Sequence, residues 1–316
     1  MGAAPFLSVV MPSFNGARWI AGALESIRAQ GEPGIEVIVV DGDESDGTEQ
    51  VVGSFADLTI RYFRRPDLKT WQAKTNFAVL QASAGHIAML HVDDLWLPGR
   101  AAAVHQWIAN APDAVCHLAP SQLIDLAGAR IGTWRCPFTP SPAPIERDRL
   151  IERLLVQNFI SCPAPVILRS AWLALGGMDE SLWYTADWDF YLKLAAAGPV
   201  VYHPDALTSF RIHGSSLTVS GSRDAADFER QMQIVLARHS GQLQPRATDR
   251  VMTLARKSIA INTSLAVAAA GSRAALWTAL TELLSLWPKQ LLDYWQWSRF
   301  GDRVIPRVRL RLAGRM

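Results

Sequence analysis

The sequence predicts an α/β protein with a mostly parallel central sheet flanked by helices, followed by an α-helical C-terminal extension. Three observations predict it. Through the first two thirds of the chain, short apolar or β-branched runs alternate with amphipathic helical patterns. Polar and acidic clusters fall directly after those runs, where strands open into loops. From about Arg223 onward only helical spacing remains.

Taken in order, residues 6–11 (FLSVVM) read as a buried first strand, and 15–30 as a helix burying Trp19, Ile20, Ala23, Leu24 and Ile27. Residues 36–40 (EVIVV) are apolar on both faces, as a central parallel strand requires. A polar loop, 41–47, leads into a helix that Thr48 is placed to cap. Residues 59–63 give a third strand and 72–82 a helix. Residues 87–92 (IAMLHV) give a fourth strand, ending at Asp93-Asp94.

A helix at 100–110 precedes strands at 114–126 and 131–134. Pro137, Pro140, Pro142 and Pro144 exclude helix or central strand from 136–146, leaving a surface loop, either a connector or a mobile lid. Next come a helix at 146–157, a strand at 166–169 and a short helix at 170–175 stopped by Gly176-Gly177. A helix at 187–197 ends at Gly198, and strands at 200–203 and 207–213 complete the α/β part. The expected division is a catalytic unit over 1–220 and a helical region over 221–316.

A chain of 316 residues can bury one large core plus a helical appendage. With 19% charged and 49% hydrophobic residues it reads as globular, and a net charge of +2 gives no field for nucleic acid. Cys116, Cys136 and Cys162 are widely spaced and odd in number, which points to reduced thiols in a cytoplasmic protein. The first residues lack a basic leader pattern. No uncharged apolar stretch reaches the ~18 residues of a spanning helix; the nearest, 258–272, is short and polar. The expectation is a soluble or peripherally attached protein.

Ligands of open α/β sheets bind beyond the carboxyl ends of the strands. Pro12-Ser13-Phe14-Asn15, Asp41 and Asp93-Asp94 occupy those positions. Two adjacent acids at the end of a buried strand repel each other and are costly to desolvate unless a cation neutralises them. Mg2+ or Mn2+ is the natural counter-charge, because hard cations take oxygen ligands and bridge phosphates.

Five stretches together resemble the family 2 glycosyltransferases, which have the GT-A fold: VVMPSFNGARWIAGALESIRAQ, EVIVVDGDESDGT, GHIAMLHVDDLWLPGR, ILRSAWLALGGMDESL and YTADWDFYLKLAAAG. They follow the family's order and spacing over roughly residues 5–215. The resemblance implies an inverting transfer of a sugar from a nucleotide diphosphate, most simply a UDP-sugar, to a hydroxyl of a glycan or lipid-linked acceptor in cell-surface polysaccharide biosynthesis. It implies that Pro12, Ser13 and Asn15 shape the nucleotide loop, that Asp41 bonds the base, and that Asn76 lines the donor pocket. Asp93 would sit near the ribose and the metal, Asp94 would ligate the metal, and Asp187 would be the catalytic base. His213 and His91 are further candidates near the metal and diphosphate.

The sequence also departs from the family pattern. His91 stands where an acid is common, Asp43-Glu44 replace small residues after Asp41, and Ala186 replaces the acid before the base. The Q-x-x-R-W signature of processive relatives is missing, which favours single transfer. Two rival classes stay open, a catalytically inactive sugar-nucleotide or carbohydrate-binding homologue and a nucleotidyltransferase. The second lacks its usual glycine-rich basic loop, and a dehydrogenase lacks G-x-G-x-x-G.

Residues 250–300 carry many large apolar side chains: Leu276, Leu280, Leu283, Trp287, Leu291 and Tyr294 recur at helical spacing, with Trp277, Leu284, Trp295 and Trp297 beside them. Arg299, Arg303, Arg307, Arg309, Arg311 and Arg315 follow. Two readings stand for 273–316. The helices pack on the catalytic unit or a second subunit as a homo-oligomer, or they lie peripherally on the inner face of the cytoplasmic membrane.

Overall fold

The computed structural model of the protein describes residues 4–44, 47–214 and 224–314. The start of the helical region at Arg223, part of the 41–47 loop, and Arg315 lie outside the described residues.

The four predicted parallel strands form as β1 (Leu7–Ser13), β2 (Ile35–Asp41), β3 (Thr59–Arg64) and β4 (His86–Met89), joined by α1 (Ile20–Arg28), α2 (Thr48–Gly53) and α3 (Trp71–Gln81). Every residue of β1 is buried, because helices cover both faces of the sheet. Helix α1 begins later than the apolar spacing suggests. Asn15 adopts φ 52° and the Gly16 carbonyl accepts from Trp19 and Ile20, so residues 15–19 form a turn rather than helix. The expected capping by Thr48 is replaced: Gly47, at φ 84°, precedes the helix, and Thr48 is its first residue. Thr70 caps α3 by accepting from the Ala73 amide.

The chain continues through β5 (Leu95–Trp96), α4 (Arg100–Asn110), β6 (Cys116–Leu118), β7 (Ser121–Ile124) and β8 (Arg130–Trp134). The expected single strand at 114–126 is two strands in different sheets. Pro120 lies between them, and without an N–H it cannot continue a ladder. Next are α5 (Arg147–Val156), β9 (Val166–Leu168), α6 (Arg169–Ala174), α7 (Ala186–Ala197), β10 (Val200–Tyr202) and β11 (Thr208–Arg211). The proline-rich loop is pinned to β10 by Ser141 N to Tyr202 O at 3.2 Å and Ile145 N to Val200 O at 2.8 Å, which makes it a connector.

The larger sheet has seven strands in the order β10-β6-β9-β4-β1-β2-β3, with β9 alone antiparallel to its neighbours. A second sheet, β5-β11-β7-β8, stands beside it. Alternating strand residues feed two cores: Val10, Ile38, Val40 and Met89 on one face, Leu7, Val9, Met11 and Val39 on the other. Ser13, Asp41 and the turn after Met89 therefore leave the sheet on one edge.

The remainder is helical: α8 (Ala225–His239), α9 (Pro245–Ala269), α10 (Arg273–Leu284), α11 (Pro288–Ser298) and α12 (Phe300–Leu312). These helices join the first core through Val251, Leu254, Tyr294 and Trp297. Helix α12 instead packs on the second sheet, where Leu310 meets Leu123 and Ile212. Among the described residues, no helix is long and apolar enough to cross a membrane.

Candidate active site

The acidic turn after β4 is built by Arg211 at the end of β11. The Arg211 backbone amide donates to Asp94 Oδ1 (2.9 Å), and its Nε donates to the Asp93 carbonyl (2.8 Å). Its Nη1 reaches the Asp125 carbonyl at 2.8 Å, so one residue ties β4, β7 and β11 together. His213 Nε2 lies 2.8 Å from Asp93 Oδ2, and its ring stacks on Trp19.

Asp94 is 1% exposed, and its Oδ2 has no hydrogen-bond partner among the described residues. Burial, and then the charge of Asp93, push its carboxyl well above the usual range. Burial opposes the charge on Asp93 too, but the His213 hydrogen bond and the nearby imidazoles hold it below the usual range. His91, Asp93 and Asp94 offer ligand atoms within 4.8 Å of one another. An orphaned carboxylate oxygen beside a second carboxylate and an imidazole fits a hard divalent cation. Burial holds His91 below its ordinary pKa, keeping the ring neutral, the form in which imidazole ligates.

On the neighbouring strand, Asp41 is 1% exposed and accepts from Tyr62 Oη at Oδ2 (2.8 Å) and from the Asp43 amide at Oδ1 (3.2 Å). Lys74, on α3, is buried against the same strand end. A Cβ on Gly42 would lie 2.5 Å from its Nζ, so glycine is what lets the lysine approach. Its ammonium lies over the Phe14 ring at 5.2 Å, yet donates to no described residue. Burial lowers its pKa, with Asp41 and Asp43 opposing that shift. Pro12 pairs with Val40 across the sheet, Ser13 Oγ is a second buried atom with no partner among the described residues, and Asn15 N donates to Asp43.

Asp187 enters in the first turn of α7. Its Oδ1 accepts from the Trp188 amide at 2.7 Å, and its Oδ2 from Asn158 Nδ2 at 3.2 Å. Burial pushes its pKa up to about 6 against those two bonds. The Cys162 thiol packs 3.8 Å from His91 Nε2 and is raised by burial and by the charges of Asp187, Asp94 and Asp93. Asp187 and the acidic turn therefore border the same few side chains.

Asn76 joins two elements. Its amide donates to the Met178 carbonyl at 2.9 Å and to Glu180, and accepts from the Met178 amide at 3.0 Å, tying α3 to the turn before α7. Residues that sequence reading passed over are Arg211, Lys74, Tyr62, Asn158 and Cys162. The sequence signal for Lys74 is a lysine among the buried positions of α3. For Tyr62 it is a polar tip on the strand beside Asp41. Asn158 carries no local signal, because only the tertiary fold brings it to Asp187.

A mostly parallel sheet thus ends in an acidic turn able to hold a cation, with a half-buried acid near it. Comparison with known proteins makes this specific. The family described as "Glycosyl transferase family 2" matches residues 8–154. An uncharacterized glycosyltransferase of Rickettsia typhi is 26% identical over 230 residues, covering 71% of this chain and 70% of its own. One from Haemophilus influenzae is 26% identical over 192 residues, covering 60% and 61%. Among solved structures, S. aureus TarS 1-349 in complex with UDP-GlcNAc superposes with TM-score 0.66 at 17% identity, covering 91% of this chain and 79% of that one. The Pyrobaculum calidifontis mannosyltransferase PcManGT in complex with GDP-Man and Mn2+ gives 0.56 at 20% identity, covering 99% and 89%. Residues 8–154 therefore carry the family 2 glycosyltransferase pattern, and the chain has the GT-A fold of the glycosyltransferases it is similar to.

Proposed function

We propose that the protein is an inverting, single-transfer glycosyltransferase that moves a sugar from a UDP-sugar to a hydroxyl of a glycan or lipid-linked acceptor, within cell-surface polysaccharide synthesis at the inner face of the cytoplasmic membrane. Residues 1–220 form the catalytic unit in this reading, and 221–316 the accessory helices. The observation that carries it is that Asp187 and the Asp93-Asp94 turn both lie near one half-buried thiol, Cys162, which packs 3.8 Å from His91 and is raised by their charges. A turn able to hold a cation, with a raised-pKa acid near it, is what transfer of a glycosyl group needs.

In this reading Asp94 Oδ2 and Asp93, with His91 and His213 beside them, hold Mg2+ or Mn2+. When bound, the cation supplies Lewis-acid stabilisation to the departing diphosphate. Asp41 accepts from the base, and Lys74 donates to a carbonyl beside that contact. Pro12, Ser13 and Asn15 close the loop around the nucleotide. Asn76 serves the site through the turn it holds in front of α7. The Asp187 carboxylate takes the acceptor hydroxyl's proton as the new bond forms on the face opposite the leaving group. Asn158 holds one of its oxygens in place.

A catalytically inactive homologue is the weaker reading. Loss of an acid at position 186 is offset by burial of Asp187, which brings its pKa into the range a general base needs at neutral pH. The test is a panel of nucleotide sugars in thermal shift with and without Mn2+, followed by nucleotide release for any that bind. Mn2+-dependent stabilisation by a UDP-sugar with slow UDP release supports the reading. Stabilisation by none of the panel overturns it.

A further inference from the structure

Ten of the fourteen large apolar side chains that stand exposed among the described residues fall between Leu276 and Leu312. Helix α10 shows how the face is made. Ala275 and Ala279 turn inward and are buried, while Leu276, Trp277, Leu280 and Leu284 turn outward at 41–69% exposure. The only charged residue exposed along α10 is Arg273. Trp287, at the start of α11, is 77% exposed, and Leu292 and Trp295 follow at 57% and 48%. Patches of this kind on a soluble surface mark a contact with another phase or partner.

The charges decide between occupants. Residues 273–314 carry seven basic residues and three acids. All three acids are already paired: Glu282 with Lys257 at 2.6 Å, Asp293 with Arg250 at 2.5 Å, and Asp302 with Arg299 at 2.6 Å. Arg273, Lys289 and Arg309 remain exposed, and no described ion pair involves them. A two-fold contact between copies of this face would set cations against cations with no unpaired acid to receive them. An anionic bilayer supplies what is missing: an apolar interior for the indole and leucyl side chains, and phosphates for the guanidinium groups.

We infer that the outer face of α10 and α11, with the cationic end of α12, docks on an anionic lipid bilayer. Helix α12 links that face to the chemistry. Its Leu310 packs on Ile212, the residue between Arg211, which brackets the acidic turn, and His213, which bonds Asp93. A protein seated this way holds its site in a fixed relation to the membrane surface. The lipid-borne acceptor it would then meet rests on the functional reading above, whereas the docking itself does not.

Flotation of the full-length chain tests it, using vesicles of phosphatidylcholine alone and of equal parts phosphatidylcholine and phosphatidylglycerol. The protein should float with the anionic vesicles only, and added salt should weaken the association. W277E with W287E should abolish flotation. R273E with R309E should cut vesicle affinity at least about tenfold. These side chains are exposed, so circular dichroism and melting temperature should match the wild type. UDP titration with Mn2+ on the same preparations separates the two ideas. Nucleotide binding without flotation overturns the docking proposal alone. Flotation without nucleotide binding leaves docking standing and removes the donor reading. Concentration-dependent dimers that the tryptophan variants dissolve, with no flotation, overturn docking in favour of self-association.

Discussion

Asp187 and Asp189 stand two positions apart on α7 and face opposite ways. Asp189 bonds His239 and Lys193 and pins α7 to α8, so its carboxyl is held down to about 2 despite burial. Asp187 has only Asn158 and a backbone amide, and burial takes it up to about 6. D187N should lower transfer by about a hundredfold or more while leaving the Kd for UDP unchanged. Retained turnover would move the base elsewhere. Because the active form is the carboxylate, kcat/KM should fall as pH drops below about 6 and level off above it. A rate indifferent to pH between about 5 and 7 would contradict the assignment. K74M should weaken UDP about tenfold, the scale of one hydrogen bond from a charged donor, with binding of inorganic pyrophosphate and Mn2+ unaltered. The acidic turn and Asp41 were legible in the sequence because acids after apolar runs are conspicuous. Asn158 and Cys162 were not, since each reaches the site from a loop whose local pattern is silent.

At the level of elements, the strand-end rule picked out residues that the fold brings to one sheet edge, and proline chemistry explains the main misreading. The run 114–126 looks like one strand, but Pro120 breaks it and sends β7 into the second sheet, where β11 delivers Arg211 to the acidic turn. No helical or strand periodicity announces a second sheet of short strands. Gly177 illustrates a tight joint between elements. It adopts φ 71°, and a Cβ there would lie 2.5 Å from Asn76 Oδ1, on the side chain that ties α3 to the turn before α7. G177A should therefore cost about 1–3 kcal/mol, read as a lower melting temperature, and should reduce transfer by disturbing the entry of Asp187. An unchanged melting temperature would show that the turn relaxes freely.

Across the whole molecule, one buried polar cluster lies under α4, away from the acidic turn. His117 Nδ1 is 3.1 Å from His203 Nε2, His203 stacks on Trp107, and Arg100 is fully buried with a pKa lowered to about 9. Burial takes His117 down to about 3 and His203 to about 4, below the ordinary histidine value near ~6.5. The unfolded chain therefore binds these protons first. Stability is fully present above about 6.5 and declines as pH falls toward 4, with Asp187 working in the opposite sense. Denaturation midpoints should drop between pH 7 and 5, and H203Q should flatten that slope. The proposed transfer depends on whether the Asp93-Asp94 turn would hold a divalent cation for the donor's diphosphate. Calorimetric titration of UDP into wild type and D94N, each with and without Mn2+, tests it most directly. The expected result is binding that needs Mn2+ in the wild type and is lost in D94N; equal affinity in all four titrations would contradict it.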